Sequence, residues 1–219
     1  MKILTYILAI YFIALFPLVH LLLSDNKIIL EYWQISYFAL ILFFVLITNQ
    51  LPPKDFGINK VEIKKKLLVG IILGILPIIG VMIGDHLLVV TGLFQSELFL
   101  GSELRIPEEM GFRTSLTENI LSLLFIPIIT QLFVMGLIAN NLLKNNTRSQ
   151  FILNSGLIYS LMQLRVELGT LFLGMISAGL LRTTGSIAVP VLVHIGFAFA
   201  EWMIVFLYPR LIIVLAFLN

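Results

Sequence analysis

An apolar run interrupted by two neutral polar residues decides the fold of this chain. It reads Ile126-Pro127-Ile128-Ile129-Thr130-Gln131-Leu132-Phe133-Val134-Met135-Gly136 and lies inside a longer apolar segment, from about 119 to 143. A helix needs about 20 mostly apolar residues to cross the hydrocarbon core of a bilayer. The segment therefore predicts a membrane-spanning helix with Thr130 and Gln131 in its interior.

The composition of the whole chain agrees with a membrane protein. Of its 219 residues, 59% are hydrophobic and only 12% are charged, whereas a soluble domain is about 25% charged. The alternating pattern of a membrane β-barrel is absent, so we predict an all-α, polytopic helical membrane protein. The chain contains no cysteine, which excludes disulfides and thiolate chemistry. Nothing in the sequence indicates a nucleic-acid partner.

Seven apolar segments divide the chain. They cover residues 3–23, 32–48, 67–88, 119–143, 151–164, 169–181 and 187–207. We predict N-terminal transmembrane helices in 1–54, a helical core in 55–208 and a short apolar tail in 209–219. The tail is too short to span a membrane alone, so seven to eight transmembrane helices are expected.

Charged residues in the connecting loops predict the orientation. Lysines are concentrated between residues 49 and 66, and basic residues recur in the loop 144–150, whereas the loop 95–118 is net acidic. Cytoplasmic loops of membrane proteins carry an excess of lysine and arginine. We therefore expect a multi-pass membrane protein with a cytoplasmic N-terminus.

Glycines in the third apolar segment indicate close helix packing. Gly70 and Gly74 form one pair at a spacing of four residues, and Gly80 and Gly84 form another. Small residues at this spacing allow a second helix to approach the backbone closely, so we expect both pairs to contact neighbouring helices.

The stretch 126–136 resembles the first motif of the CPBP (Abi) family of intramembrane proteases, the relatives of the CAAX prenyl endopeptidases. That motif reads P-x-x-E-E-x-x-F-R-G. Here Thr130 and Gln131 stand in place of the two glutamates, and Met135 stands in place of the arginine.

Further motifs extend the resemblance over roughly residues 55–205. The second family motif, F-x-x-x-H, corresponds to Tyr159 and Gln163. The third, H-x-x-x-N or H-x-x-x-D, corresponds to His194 and Ala198. Between them, 174–190 is similar to the family linker G-x-x-x-G-x-x-x-x-x-T-G-S-x-x-x-P, and Asp55-Phe56-Gly57-Ile58 also resembles the family.

The resemblance implies a CPBP-type bundle whose site has lost its catalytic groups. The family mechanism uses a buried glutamate as general base, with histidines and an asparagine that stabilise the oxyanion. Amides and hydroxyls cannot act as a general base, so we expect no catalytic residues and interpret the chain as a pseudoprotease. The degenerate positions are Thr130, Gln131, Met135, Tyr159, Gln163, His194 and Ala198. In the alternative interpretation, the neutral side chains of Thr130, Gln131 and Gln163 only hydrogen-bond between helices.

A second stretch matches the letters of the first motif. Glu108, Glu109 and Arg113 lie in a sequence that reads E-E-x-x-F-R, but in the polar loop before the fourth apolar segment. This position breaks the spacing to Gln163 and His194. We treat it as a solvated loop or helix start, and as the alternative catalytic site if the protein is an active intramembrane endopeptidase.

No cofactor and no metal are expected. The three histidines are scattered, and none belongs to a spacing typical of metal ligands. The expected partners are the lipid bilayer and another membrane or envelope protein. The resemblance implies a protein of a bacterial plasma membrane with a role in bacteriocin immunity or maturation, or in regulating an envelope enzyme. A transporter-associated membrane subunit is the remaining alternative, although inverted halves with paired broken helices are absent.

Overall fold

The computed structural model describes residues 2–22, 25–48, 56–57, 61–93, 119–164 and 167–213. These residues form seven helices and contain no strand, which confirms the predicted all-α class. The helices agree with the seven apolar segments of the sequence to within a few residues at most ends.

The helices follow one another along the chain. Helix α1 consists of the consecutive segments Lys2–Ala9, Ile10–Leu15 and Phe16–Leu22, the middle one in π-helical geometry. Helix α2 is Lys27–Ile47 and α3 is Ile63–Thr91. Helix α4 consists of Leu121–Phe125, Ile126–Thr130, Gln131–Ala139 and Asn140–Leu142, with π-helical geometry in its first and third segments. Helices α5, α6 and α7 are Arg148–Met162, Leu168–Thr184 and Ala188–Phe206, followed by a 3-10 turn, Pro209–Leu211.

Four of these helices are long and apolar enough to cross a membrane. They contain the stretches Leu4–Leu22, Ile63–Thr91, Leu121–Leu142 and Ala188–Phe206, and α2 and α6 contain shorter apolar helices, Tyr32–Ile47 and Leu168–Thr184. Apolar side chains cover the outside of the bundle, as expected where the solvent is lipid, and the protein is a helical membrane protein.

One hydrophobic core joins the N-terminal helices to α4, α5 and α6. Phe38 of α2 stacks on Phe133 of α4, with ring centroids 4.1 Å apart and planes 9° apart. Tyr11 of α1 and Tyr159 of α5 are also fully buried in this core. The N-terminal pair therefore packs directly against the part of the chain that carries the sequence motifs.

Helices α3 and α7 cross at backbone contact. A Cβ atom on Gly74 would lie 2.7 Å from the carbonyl oxygen of Leu192, and one on Gly196 would lie 1.9 Å from that of Gly74. Gly70 also faces Leu192. The first predicted glycine pair is therefore a packing interface. The second pair is not: among the described residues nothing lies within 4 Å of a Cβ at Gly80, and Gly84 only reaches the side chain of Leu211 at ordinary contact distance.

An ion pair joins α3 to the 3-10 turn that follows α7. The guanidinium Nε of Arg210 lies 3.2 Å from Oδ1 of Asp85, and its Nη2 donates to Oδ2 at 3.4 Å. Asp85 is only 8% exposed. A buried carboxylate is costly in an apolar environment unless it is paired. Arg210 provides this pairing and fastens the 3-10 turn to α3.

The Phe56-Gly57 pair packs against two of the motif elements, the first motif and the linker. Phe56 is buried, and its carbonyl oxygen would lie 3.0 Å from a Cβ on Gly136, the last residue of the first motif. Gly57 has a φ of +73° and its carbonyl accepts a hydrogen bond of 2.9 Å from Ile187 N–H. A left-handed backbone favours glycine. The motif glycines are thus explained by packing, without reference to catalysis.

The same end of the bundle also holds the 143–147 connection. The guanidinium of Arg182 donates to the carbonyls of Lys144 and Asn146, at 3.3 and 3.2 Å, and lies over the ring of Phe151. The contacts of Gly57 with Ile187 and of Phe56 with Gly136 place Phe56 and Gly57 at the same end of the bundle. Phe56 and Gly57, which belong to the loop 49–66, and the 143–147 connection therefore lie at one end of the bundle.

The orientation can be tested with single cysteines, since the chain has none of its own. In intact cells we expect a Lys64→Cys variant to resist an impermeant thiol reagent and a Ser102→Cys variant to react, because lysine-rich loops stay in the cytoplasm. Ser102 lies outside the described residues. Permeabilised cells, in which Lys64→Cys should react, are the control. The opposite labelling pattern would reverse the predicted orientation.

Candidate functional site

A buried polar cluster lies where α4, α5, α6 and α7 meet. The side-chain amide of Gln131 donates from Nε2 to Ser177 Oγ at 2.9 Å. The same Nε2 lies 3.4 Å from Nδ1 of His194, and the hydroxyl of Tyr159 lies 3.4 Å from the same ring nitrogen. Four side chains from four helices therefore surround one point inside the bundle.

Two further contacts complete the cluster. The side chain of Gln163 hydrogen-bonds the Tyr159 side chain, one helical turn before it. The His194 ring hydrogen-bonds the backbone of Pro127; because proline has no N–H, the ring is the donor and the carbonyl the acceptor. His194 is thus held from both α4 and α5, and the spacing of Gln131, Gln163 and His194 in the sequence corresponds to convergence in space.

The distorted geometry of α4 accompanies this arrangement. Pro127 cannot donate to the helical hydrogen-bond ladder, and the backbone changes to π-helical geometry from Gln131 onward. The N–H of Gln131 still reaches the Pro127 carbonyl, which the His194 ring also contacts. Segments of π-helix occur frequently at functional sites because they displace the ladder and reorient side chains.

Small residues allow the helices to approach the cluster. A Cβ on Gly174 of α6 would lie 2.5 Å from the Cβ of Tyr159 and 3.0 Å from the Cα of Gly156. The first glycine of the linker resemblance therefore makes room for Tyr159. Ser177, one turn further along α6, then faces Gln131.

Within the described part of the chain, one polar atom of the cluster has no hydrogen-bond partner. Gln131 is 0% exposed and its Oε1 makes no hydrogen bond within the described residues. A fully buried carboxylate at this position would bring a charge with no cationic partner in the cluster. The neutral amide avoids that cost.

The remaining predicted positions are placed as follows. Thr130 and Met135 are buried in α4, Met135 within the hydrophobic core. Ala198 lies on α7, one turn after His194, and is partly exposed. Glu108, Glu109 and Arg113 lie outside the described residues, so their interpretation as a loop stays a prediction. Among the described residues no group of three or more histidines and acids could hold a metal ion.

Two members of the cluster were not predicted from the sequence. Ser177 falls at an unmarked position of the linker, and the Pro127 carbonyl is a backbone group. Ser177 lies three residues after the packing glycine Gly174 and therefore on the same face of α6. This spacing would have indicated Ser177 as a site residue only if α5 and α6 had been known to be neighbours. Their packing is mediated by Gly156 and Gly174.

A family model matches this part of the chain. Residues 104–200 match the type II CAAX prenyl endopeptidase Rce1-like family. This region is similar to that family. The match confirms the resemblance inferred from the motifs, and it covers a little under half of the chain. The matched region contains both stretches that resemble E-E-x-x-F-R, 108–113 and 130–135. The match therefore does not show whether Gln131 or Glu109 corresponds to the family's glutamate. No curated protein and no solved structure matches the chain.

Apart from the imidazole of His194, the groups of this cluster form hydrogen bonds but do not titrate near neutral pH. His194 contacts an amide, a phenol and a backbone carbonyl. None of these groups can accept a proton from water near neutral pH. The cluster as described can donate and accept hydrogen bonds between helices, which stabilises the bundle by about 0.6 kcal/mol for each bond.

Proposed function

We propose that this Rce1-like membrane protein is a catalytically inactive relative of the CAAX-type endopeptidases. One observation carries the proposal. The buried position that would hold the general base is Gln131, whose amide is bound to Ser177 and faces His194. A base must titrate within reach of the attacking water, and the amide does not titrate.

The proposal assigns a binding role to the protein. Without hydrolysis, its activity lies in contact with another membrane or envelope protein, of the kind found in bacteriocin immunity or in the regulation of an envelope enzyme. The proposed place is a bacterial plasma membrane, with the N-terminus in the cytoplasm. Apolar side chains such as Ile13, Ile72 and Phe125 are exposed on the long helices and offer such a partner a contact surface within the bilayer.

A peptidase assay tests the loss of catalysis. The purified protein in lipid nanodiscs should leave a prenylated CAAX-type peptide and a transmembrane peptide intact, under conditions where a family member with both motif glutamates cleaves them. The Glu109→Gln and His194→Ala variants should behave like the natural protein. Cleavage by the natural protein that disappears in either variant would overturn the proposal and assign catalysis to the loop glutamates.

Photocrosslinking in native membranes tests the binding role. A photoreactive residue is introduced at one exposed position of each long helix: Ile13, Ile72, Phe125 or Phe197. We expect a discrete protein adduct at a subset of positions, retained in the His194→Ala background and weakened by Gly74→Leu, which forces α3 from α7. Matched expression levels are the control. Adducts to lipid alone at all four positions would contradict a protein partner.

A further inference from the structure

Two residues of the N-terminal helices hold the end of α5. Tyr11 of α1 is 0% exposed, and its hydroxyl donates to the carbonyl oxygen of Met162 at 2.7 Å. The amide of Gln34 on α2 donates to the Tyr11 hydroxyl at 2.8 Å and contacts the same Met162 carbonyl. We call these three groups the α5 clamp.

The Met162 carbonyl needs these donors because of its position. Met162 is the last residue of α5 and only 1% exposed. The last four carbonyls of a helix have no partner within the helix, and a buried carbonyl without a donor is costly. Water is the usual partner at exposed helix ends. Here the N-terminal helices provide the donors.

The chain beyond the clamp turns sharply. Leu164, two residues after Met162, has a φ of +56°. A left-handed backbone is strained for a leucine and persists only where the surroundings enforce it. The clamp therefore holds the last turn of α5 immediately before this strained residue.

The last turn of α5 also carries part of the polar cluster. Tyr159 lies three residues before Met162 and contacts His194, while Gln163 follows Met162 directly and bonds Tyr159. A shift of this turn moves both side chains relative to the imidazole. The end of α5 is thus the element common to the clamp and the cluster.

We infer that α1 and α2 position the His194 cluster through the α5 clamp, with Tyr11 and Gln34 as positioning residues. The first two helices are then part of the site, although the sequence motifs and the family match both lie downstream of them. This role concerns the geometry of the cluster, and it holds whether or not the cluster hydrolyses peptides.

The nitrogen resonances of His194 report this positioning directly. The full-length protein, labelled with ¹⁵N-histidine in nanodiscs and with His20 and His86 replaced by glutamine, gives signals from His194 alone. We expect Tyr11→Phe, and more strongly Tyr11→Phe combined with Gln34→Leu, to shift the Nδ1 signal beyond its line width. The reason is that the distance from Nδ1 to the Tyr159 hydroxyl changes when the Met162 carbonyl is released.

Tyr37→Phe is the matched control. The Tyr37 hydroxyl also makes a buried hydrogen bond of 2.7 Å to a carbonyl, that of Ile7, but this bond joins α2 to α1 and does not reach α5. Both variants remove one hydroxyl and should lower the unfolding midpoint similarly. Only Tyr11→Phe should move the His194 signal. An unchanged signal in the double variant, or an equal shift in Tyr37→Phe, would refute the inference.

Discussion

Replacing Gly196 by alanine is expected to destabilise the protein by about 3 kcal/mol or more. The added Cβ would lie 1.9 Å from the carbonyl oxygen of Gly74, so α3 and α7 must separate. Overpacking of a tight contact costs about 1–3 kcal/mol and occasionally more. The obstacle here is backbone, which cannot rotate away as a flexible side chain can. Unfolding in mixed detergent micelles, followed by helical circular dichroism, measures the loss.

Gly80→Ala is the control for this prediction. Gly80 belongs to the same helix, α3, but no described atom lies within 4 Å of a Cβ built there. Alanine favours a helix over glycine by up to about 1 kcal/mol, so this variant should be unchanged or slightly more stable. Equal losses for Gly196→Ala and Gly80→Ala would mean that the close α3–α7 crossing does not control stability.

Restoring the family's glutamate, with Gln131→Glu, should destabilise the protein by about 2.5–3.5 kcal/mol at neutral pH. That is the cost of an acidic side chain in the centre of a membrane helix on insertion scales. Gln131 is fully buried, and its neighbours Ser177 and His194 carry no fixed positive charge. The same micelle titration measures the change in the free energy of unfolding.

Two controls separate the charge from the shape. Gln131→Met keeps the length of the side chain without the charge and should cost under about 1 kcal/mol, because only inter-helix hydrogen bonds are lost. Gln150→Glu makes the same chemical change at an exposed position in the first turn of α5, where a negative charge is favourable. If Gln131→Glu were as stable as the natural protein, a cationic partner would be present and an active site would have to be reconsidered.

The helices could be predicted from the sequence because bilayer length and apolar composition are local properties. The segments 67–88 and 187–207 correspond to α3, Ile63–Thr91, and α7, Ala188–Phe206. Helix α3 begins four residues before the predicted apolar segment, because Lys64, Lys65 and Lys66 are part of the helix and not of the loop. Composition marks the apolar part of a helix, whereas the backbone hydrogen bonds extend into the polar flank.

The glycine pairs show where a prediction from local sequence was wrong. Gly70-Gly74 and Gly80-Gly84 have the same spacing, yet within the described part of the chain only the first pair contacts another helix backbone. Spacing establishes that two glycines share one face of a helix. It does not say which part of that face a neighbouring helix crosses, because the crossing point depends on the partner.

The sequence by itself determined a membrane bundle of helices, the Rce1-like resemblance, and the neutral chemistry of residues 130, 131 and 163. These follow from residue types and from spacing along one chain. Only the tertiary structure decided that Ser177 and the Pro127 carbonyl join the cluster, and that Tyr11 and Gln34 hold the end of α5. The physical reason is that these contacts connect residues far apart in the chain: Tyr11 and Met162 are 151 positions apart. Which residues form these contacts depends on how the helices pack. A backbone carbonyl is present in every residue, so the sequence cannot indicate which carbonyl takes part.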